Sequence, residues 1–306
     1  MPKKFNPNLQ ITLRALEIAR QQVARQYIVG YCVMALGAIL TLVCVVLTFY
    51  VMCVAAFFSG LIIGFIIILS VENKEGRYRF DFKHKIIGSV IGDLDSNLKI
   101  DPKSGIGPGD FVESFLFTEK PDLYKTEDLV YGEIGKTTVH FAEVRAQFLV
   151  EGKPNYIFDG ILFCASFNKH FDGLTLVRPR QYTSGLSKWV SQNLLNNAKA
   201  VYLENENFNR TFFTQASDQV EARYILTPSL MEKLLVLNQY ANSTISVSFV
   251  WSNVYIAFPL NHNYFEAPIF KSLLNADILE KDLNILRLMR NVVEELDLNI
   301  RIWTKQ

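Results

Sequence analysis

Asp218, Glu221 and Arg223 are charged residues that lie close together in the sequence. Two carboxylates can form an acid/base site when they face one cleft and their pKa values differ. The same spacing matches a helix cap, in which Asp218 binds the first amides of a helix and Glu221 binds back, with Arg223 as an ion-pair partner. The cluster is the candidate catalytic site, and the cap with an ion pair is the simpler interpretation.

The histidines are scattered along the chain and none is paired by a recognised motif. His140 and Glu143 are three residues apart in a predicted strand, so their side chains point to opposite faces and form no dyad. Asp172 follows His170 by two residues and is placed to orient its ring, but no nucleophile motif accompanies them. We therefore expect these histidines to be structural.

Neither the cysteines nor the acidic residues have the spacing of a metal site. No two of the four cysteines have the CxxC spacing of a zinc site. Glu127 and Asp128 lack a third carboxylate in their segment. The turn at residues 104–110 does not match the GxGxxG nucleotide fingerprint, and no P-loop, HExxH or kinase motif is present. The sequence therefore predicts no metal and no cofactor.

The elements that position these residues begin with a long apolar segment. From Gln26 to Val71, 46 consecutive residues include no Asp, Glu, Lys or Arg. Because a helix of about 20 apolar residues crosses a bilayer, residues 27–70 predict a two-span transmembrane hairpin. The bend is predicted at Phe49 and Tyr50. No ionisable residue lies within either span, which argues against a pump or a coupled transporter.

The charges that flank the hairpin predict its orientation. Basic residues lie on the outer side of both spans, whereas the bend has none: Lys3, Lys4, Arg14, Arg20 and Arg25 before the first span, and Lys74, Arg77, Arg79, Lys83 and Lys85 after the second. Basic residues near a span are retained in the cytoplasm, so both termini are predicted to be cytoplasmic. The formal net charge of +1 argues against a nucleic-acid partner.

Residues 1–26 are predicted to form a cytoplasmic amphipathic helix. Its apolar stripe recurs every three or four residues, at Leu9, Leu13, Leu16, Ala19 and Val23. The stripe can pack on the rest of the chain; alternatively, it can pair with another subunit or lie on the anionic inner leaflet. In the second span, Gly60 and Gly64 form a GxxxG motif, a candidate contact with the first span or with a second chain.

The remaining residues, 71–306, predict one cytoplasmic α+β domain with a mostly antiparallel sheet. Apolar residues with a two-residue period predict three successive strands at 129–135, 137–150 and 156–167, and shorter edge strands at 175–177 and 200–203. Thr227 followed by Pro228 predicts a helix start. The closing segment, 270–296, predicts a long C-terminal helix.

Four segments carry a family resemblance: EDLVYGEIGKTTVHFAEV (Glu127 to Val144), FDGILFCASFNKHFDG (Phe158 to Gly173), SDQVEARYILTPSLMEKLL (Ser217 to Leu235) and LDLNIRIW (Leu296 to Trp303). They resemble the bacterial domain-of-unknown-function family numbered 3137. The resemblance implies a two-span hairpin followed by a cytoplasmic α+β domain, and therefore the bacterial inner membrane. It implies no activity, catalytic residue or cofactor.

Three functions follow from these observations. The leading hypothesis is a non-enzymatic protein whose hairpin tethers a cytoplasmic protein-interaction domain, with a homo-oligomer or another protein as partner. The first alternative is a membrane-anchored enzyme with a site near Asp218, Glu221 and Arg223. The second alternative is a module that binds a lipid or another small ligand.

Overall fold

The structure is a computed structural model, and it describes residues 7–46, 50–117, 119–180, 198–241, 244–260, 264–275 and 277–296. The chain divides into two compact units, Met1–Ser89 with Phe265–Glu280, and Val90–Tyr264 with Lys281–Gln306. The first unit is mainly helical, and an antiparallel sheet forms the centre of the second. The predicted α+β class, with an N-terminal apolar helix pair and a C-terminal helix, is confirmed.

The first unit is built on consecutive helices. These are α1 at Pro7–Val46, α2 at Tyr50–Leu69, and α3 at Glu72–Asp81, which continues into a π-helical turn at Phe82–Ile87. Helix α1 contains both the predicted amphipathic helix and most of the first predicted span, because residues 8–29 include no Gly or Pro that would interrupt a helix. Of the predicted bend, Phe49 lies outside the described residues, and Tyr50 begins α2.

Two helical stretches among the described residues are long and apolar enough to cross a membrane, Leu9–Val46 and Val51–Leu94. Only 11% and 17% of their most apolar windows are buried within the chain. Side chains such as Leu42 and Val51 are largely exposed. Apolar surface of this extent is rare on soluble monomers and marks a membrane or partner contact, so the helix pair supports membrane association.

The N-terminal half of α1 packs within its own unit. Its apolar stripe is buried at Leu9, Leu13, Leu16 and Val23. Between these residues, the buried Glu17 and Arg20 form a two-point ion pair, with N–O distances of 2.8 and 2.9 Å. The burial of the stripe favours the interpretation in which α1 packs on its own chain rather than on a second subunit or on lipid.

The Glu17–Arg20 pair also binds the backbone of the segment 265–275. Glu17 accepts a hydrogen bond from the Leu273 amide at 2.9 Å, and Arg20 donates to the Ile269 carbonyl at 2.5 Å. In an α-helix that amide and that carbonyl would bond to each other. Because α1 binds both groups, the C-terminal helix does not begin at residue 270 as predicted, and it begins at Asp277 instead.

The described residues of the second unit form a seven-stranded antiparallel sheet with the order β1-β2-β3-β4-β6-β5, and β7 pairs with β4. The strands are β1 Lys99–Asp101, β2 Leu123–Ile134, β3 Thr137–Val150, β4 Lys153–Pro179, β5 Lys199–Ala200, β6 Phe212–Ala216 and β7 Ser246–Phe258. The predicted meander of three antiparallel strands corresponds to β2, β3 and the first half of β4.

Strand β4 is the central strand and is 27 residues long. Its first half pairs with β3 and with the second half of β7, and its second half pairs with β6 and with the first half of β7. The β4–β7 register is irregular between Ser166 and Leu174. The segment Thr175–Val177, predicted as an edge strand, is therefore an interior part of the sheet, with a neighbour on each side.

The remaining helices are α4 Gly88–Leu94, α5 Pro108–Glu113, α6 Glu206–Thr211, α7 Gln219–Ile225, α8 Pro228–Tyr240 and α9 Asp277–Glu295. Helix α8 begins where the sequence predicts, and the Thr227 side chain accepts a hydrogen bond from the Leu230 amide at 3.3 Å. The apolar stripe of α9 is buried, including Leu279, Met289 and Val293. The predicted C-terminal helix is thus present, with a later start.

Candidate functional site

The structure assigns hydrogen bonds to backbone groups for all three residues of the predicted cluster. Asp218 caps α7, since it accepts from the amides of Val220 and Glu221 at 2.7 and 3.1 Å. Glu221 does not bind back to Asp218; its carboxylate accepts from the Gly173 amide of β4 at 2.9 Å. Arg223 donates to the Tyr202 carbonyl at 3.1 Å. Among the described residues it forms no ion pair with either carboxylate, so that part of the cap interpretation is corrected.

Of the other residues considered for chemistry, His140 of β3 is the cross-strand partner of Cys164 of β4, whereas His170 lies further along β4. His140 is half-buried on β3, where burial lowers its pKa and the Asp110 carboxylate opposes this effect. His170 Nδ1 lies 3.2 Å from Ser252 Oγ, so the serine rather than Asp172 orients the ring. Burial raises the pKa of the Cys164 thiol to about 12, which leaves it protonated and a poor nucleophile at neutral pH.

The two glycines of the GxxxG motif face the first span of the same chain. A Cβ atom added at Gly60 would lie 2.7 Å from the Cα of Gly37, and one added at Gly64 would lie 2.8 Å from the Gly30 carbonyl oxygen. Contacts this short involve backbone atoms, which cannot move aside as a flexible side chain can. These glycines therefore allow α1 and α2 to pack with their backbones in contact.

A cavity of 420 Å³ lies in the second unit, where the ends of β4 and β7 come together. A straight strand would separate Ile157 and Arg178 by about 70 Å, yet both line this cavity, so β4 must fold back on itself. Strand β7 contributes Ser246 from its start and Ala257 from its end. The register irregularity in the middle of the β4–β7 pair accommodates this reversal.

Arg178 is the buried charge of this cavity. Only 7% of the residue is exposed, and its guanidinium makes one described hydrogen bond, from Nη2 to the Phe115 carbonyl at 2.9 Å. No described carboxylate forms an ion pair with it, and its buried Nε has no described hydrogen-bond partner. Burial lowers its pKa to about 10, so the side chain remains charged at neutral pH.

Most of the remaining cavity wall is apolar and aromatic. Phe117 and Phe158 line it with ring centroids 4.9 Å apart, and Phe117 stacks on the buried Phe111 at 4.2 Å. These rings belong to the hydrophobic core of the second unit. The other lining residues are Leu116, Glu119, Phe148, Tyr156, Ile157, Pro179, Thr244 and Pro259. The cavity therefore combines one buried cation with an apolar wall that the core holds in place.

Comparison with protein families gives a match over just under half of the chain. A family model described as "Protein of unknown function (DUF3137)" matches residues 156–298. The family resemblance is confirmed over this segment. It contains Arg178, most of β4, and all of β6 and β7, whereas the apolar helix pair and the motif Glu127 to Val144 lie outside the match. The cluster of Asp218, Glu221 and Arg223 also lies inside the DUF3137 segment.

The search of curated proteins found no match. A crystal structure of the mycobacterial trehalose monomycolate transport factor A, TtfA, is similar to the chain with a TM-score of 0.38 and 9% sequence identity. That similarity covers 69% of this chain and 97% of the other.

Sequence reasoning missed Arg178, although the DUF3137 segment carries a signal for it. Arg178 is the one charged residue in the segment Leu174 to Pro179, where it follows Val177. A charged side chain is rarely buried unless it is paired, so an arginine inside an apolar strand is a candidate for a functional position. The partners of Arg178 in the cavity come from distant parts of the chain, and no local pattern indicates them.

Proposed function

We propose that this chain is an integral protein of the bacterial inner membrane, with both termini in the cytoplasm, whose α+β domain binds a small ligand in the cavity around Arg178. The hairpin is the anchor and the cavity is the functional site. We therefore favour ligand binding over the protein-interaction hypothesis and over an enzyme with a site near Asp218, Glu221 and Arg223. In that cluster, each side chain already binds backbone groups.

The anchoring role is supported by the two apolar helices and by the charges around them. Residues 27–70 carry no charge, and ten Lys or Arg residues lie within about one helix length of their outer ends, a distribution that favours cytoplasmic termini. The glycine contacts between α1 and α2 allow the hairpin to pack closely. Because its spans lack the charged residues that pumps and proton relays use, the hairpin fits an anchor better than a transporter.

The observation that carries the ligand-binding role is the buried guanidinium of Arg178, which has no carboxylate partner among the described residues and lies in a largely apolar cavity. A buried charge without a counter-ion is costly, and proteins keep such groups mainly at functional sites. The volume of 420 Å³ falls within the range of about 300–1,000 Å³ that is typical of small-molecule sites. A few polar groups in an apolar wall are also the usual composition of these sites.

A protein-interaction role is the second candidate, and one surface favours it. Tyr202, Val220 and Tyr224 are 69%, 79% and 51% exposed. Arg223 of α7 holds the Tyr202 backbone beside this helix, which brings the three side chains into one region. None of these three residues lines the cavity, so the two functions can be tested separately.

Ligand binding is tested by filling the cavity in the full-length protein. Ser246→Trp places a large side chain in the cavity wall, and Ser252→Trp places the same side chain at an exposed position in the middle of the same strand. We expect native mass spectra of the purified protein, after incubation with a lipid extract of its host, to show a bound small molecule for the wild type and for Ser252→Trp. The Ser246→Trp spectrum should lack it.

Two outcomes would contradict this proposal. One is a wild-type protein that carries no additional mass after incubation. The other is a Ser246→Trp variant that retains the ligand while its thermal unfolding matches that of Ser252→Trp, because the ligand would then be bound outside the cavity.

A further inference from the structure

The donors of Arg178 define what its ligand must offer. A guanidinium has five N–H donors in a planar fork that matches the two oxygens of a carboxylate or phosphate. One described hydrogen bond, to the Phe115 carbonyl, uses only one of these donors. The fork is therefore left with capacity for a bidentate acceptor, and charge-assisted bonds of that kind are about twice as strong as neutral ones.

The charges around the cavity favour an anion over a neutral acceptor. Glu119 is the one carboxylate among the described lining residues; it is exposed, and it forms no described ion pair with Arg178. The segment 181–197, which follows Arg178 closely in sequence, contains no Asp or Glu. A neutral acceptor would leave the buried positive charge uncompensated, whereas a monoanion would neutralise it. The hydroxyl groups of Thr244 and Ser246 add further donors in the wall.

The apolar wall defines the rest of the ligand. Leu116, Phe117, Phe148, Ile157 and Phe158 present hydrocarbon and aromatic surface to the cavity. A small inorganic ion at Arg178 would leave this surface in contact with water, while an apolar chain would cover it and gain about 25 cal/mol for each Å² removed from water. The cavity thus fits a molecule with an acidic head and an apolar body.

We infer that the cavity binds an amphipathic monoanion, with its carboxylate or phosphate on Arg178 and its apolar chain against the wall formed by Phe117, Phe148 and Phe158. This inference rests on the proposed function, because it names the class of ligand that the cavity takes. A fatty acid and an alkyl phosphate share this chemistry, and both occur at membranes.

The test uses photoactivatable probes on the full chain in phosphatidylcholine nanodiscs. The probes are diazirine derivatives of lauric acid, dodecyl phosphate and dodecanol, and mass spectrometry maps the labelled peptides. Labelling of α1 and α2 reports the probe dissolved in the bilayer and serves as the internal reference. We expect an acidic probe to label the cavity peptides of the wild type at least about tenfold more than those of Arg178→Met, since loss of one partner of a buried charge pair has this effect or a larger one.

Two variants control for folding and for net charge. Arg178→Lys keeps the charge and should retain a substantial part of the labelling. Arg210→Met removes an exposed arginine of α6, 76% of whose side chain is accessible, and should label as the wild type does. Labelling by the acid alone identifies a carboxylate ligand, labelling by the phosphate alone identifies a phosphate ligand, and labelling by both supports the shared class.

The outcomes separate this inference from the proposed function. If dodecanol labels the cavity as strongly as the acids do, and Arg178→Met changes nothing, the cavity binds ligands but the anionic class is wrong. If millimolar inorganic phosphate displaces the acidic probes, the apolar chain is not part of recognition and the inference also fails. If no probe labels the cavity peptides in the wild type while α1 and α2 are labelled, both the inference and the proposed function are overturned.

Discussion

Gly60→Leu is expected to separate the two helices of the hairpin and to lower the free energy of unfolding by about 3 kcal/mol. The reason is steric, because even the first added carbon would lie 2.7 Å from the Cα of Gly37. The two helices are equally close at the facing glycine of α1, because a Cβ added at Gly37 would lie 2.8 Å from the Cα of Gly60. The measurement is an SDS titration of the full chain in mixed micelles, followed by helical circular dichroism.

The matched control is Gly76→Leu. Gly76 lies in α3, where an added Cβ would meet nothing within 4 Å. Removal of a helical glycine with open space around it should leave the helix unchanged or stabilise it by up to about 1 kcal/mol. If Gly60→Leu and Gly76→Leu give the same unfolding curve, close packing of α1 against α2 is not what holds the hairpin together.

Glu17→Gln is expected to release the segment 265–275 from α1. The substitution removes the partner of a buried guanidinium, a change that typically costs about 3–5 kcal/mol, and it weakens the acceptor of the Leu273 amide. Hydrogen exchange measured by mass spectrometry should show about 100-fold less protection for amides in this segment. The control is Glu206→Gln, which breaks an exposed pair with Arg210 and should change protection by less than about threefold.

The same ion pair predicts an acid-dependent opening of this segment. The hydrogen bond from Arg20, assisted by the Leu273 amide, lowers the pKa of Glu17 from 4.5 to about 2. A carboxyl whose pKa is lower in the folded state than in the unfolded state stabilises the fold at pH values above its unfolded-state pKa. This contribution is lost as the pH falls toward the folded-state pKa. Protection of the segment 265–275 should therefore decline between pH 4.5 and about 2 in the wild type, after correction for intrinsic exchange. A decline of equal size in Glu17→Gln would show that Glu17 is not the responsible group.

The parts of the fold that sequence predicts well are those set by neighbouring residues. The uncharged run from Gln26 to Val71 indicates the helix pair, and the two-residue period of 137–150 coincides with β3. The caps at Asp218 and Thr227 occur where their residue types indicate, because a side chain that binds amides two or three residues ahead is a local feature.

The predictions made from the sequence are wrong where contacts with distant residues override the local secondary-structure preference. The third predicted strand ends at residue 167, but β4 continues to Pro179, and Phe171 in this continuation pairs with Trp251 of β7. The C-terminal helix starts late because Glu17 and Arg20, some 250 positions away, bind the backbone groups that its first turn would need. The cavity has the same origin, since only the folding back of β4 brings Arg178 to Ile157.

The location of the α+β domain is measured most directly by reporters fused after Gln306. A bacterial host would express the full chain with either a phosphatase that is active only in the periplasm or a fluorescent protein that matures in the cytoplasm. A hairpin with both ends on the inner side predicts a silent phosphatase and a fluorescent cell membrane. An active phosphatase with no fluorescence would place the domain and its cavity outside the cytoplasm, and it would contradict the proposal of a cytoplasmic ligand-binding domain held by a two-span anchor.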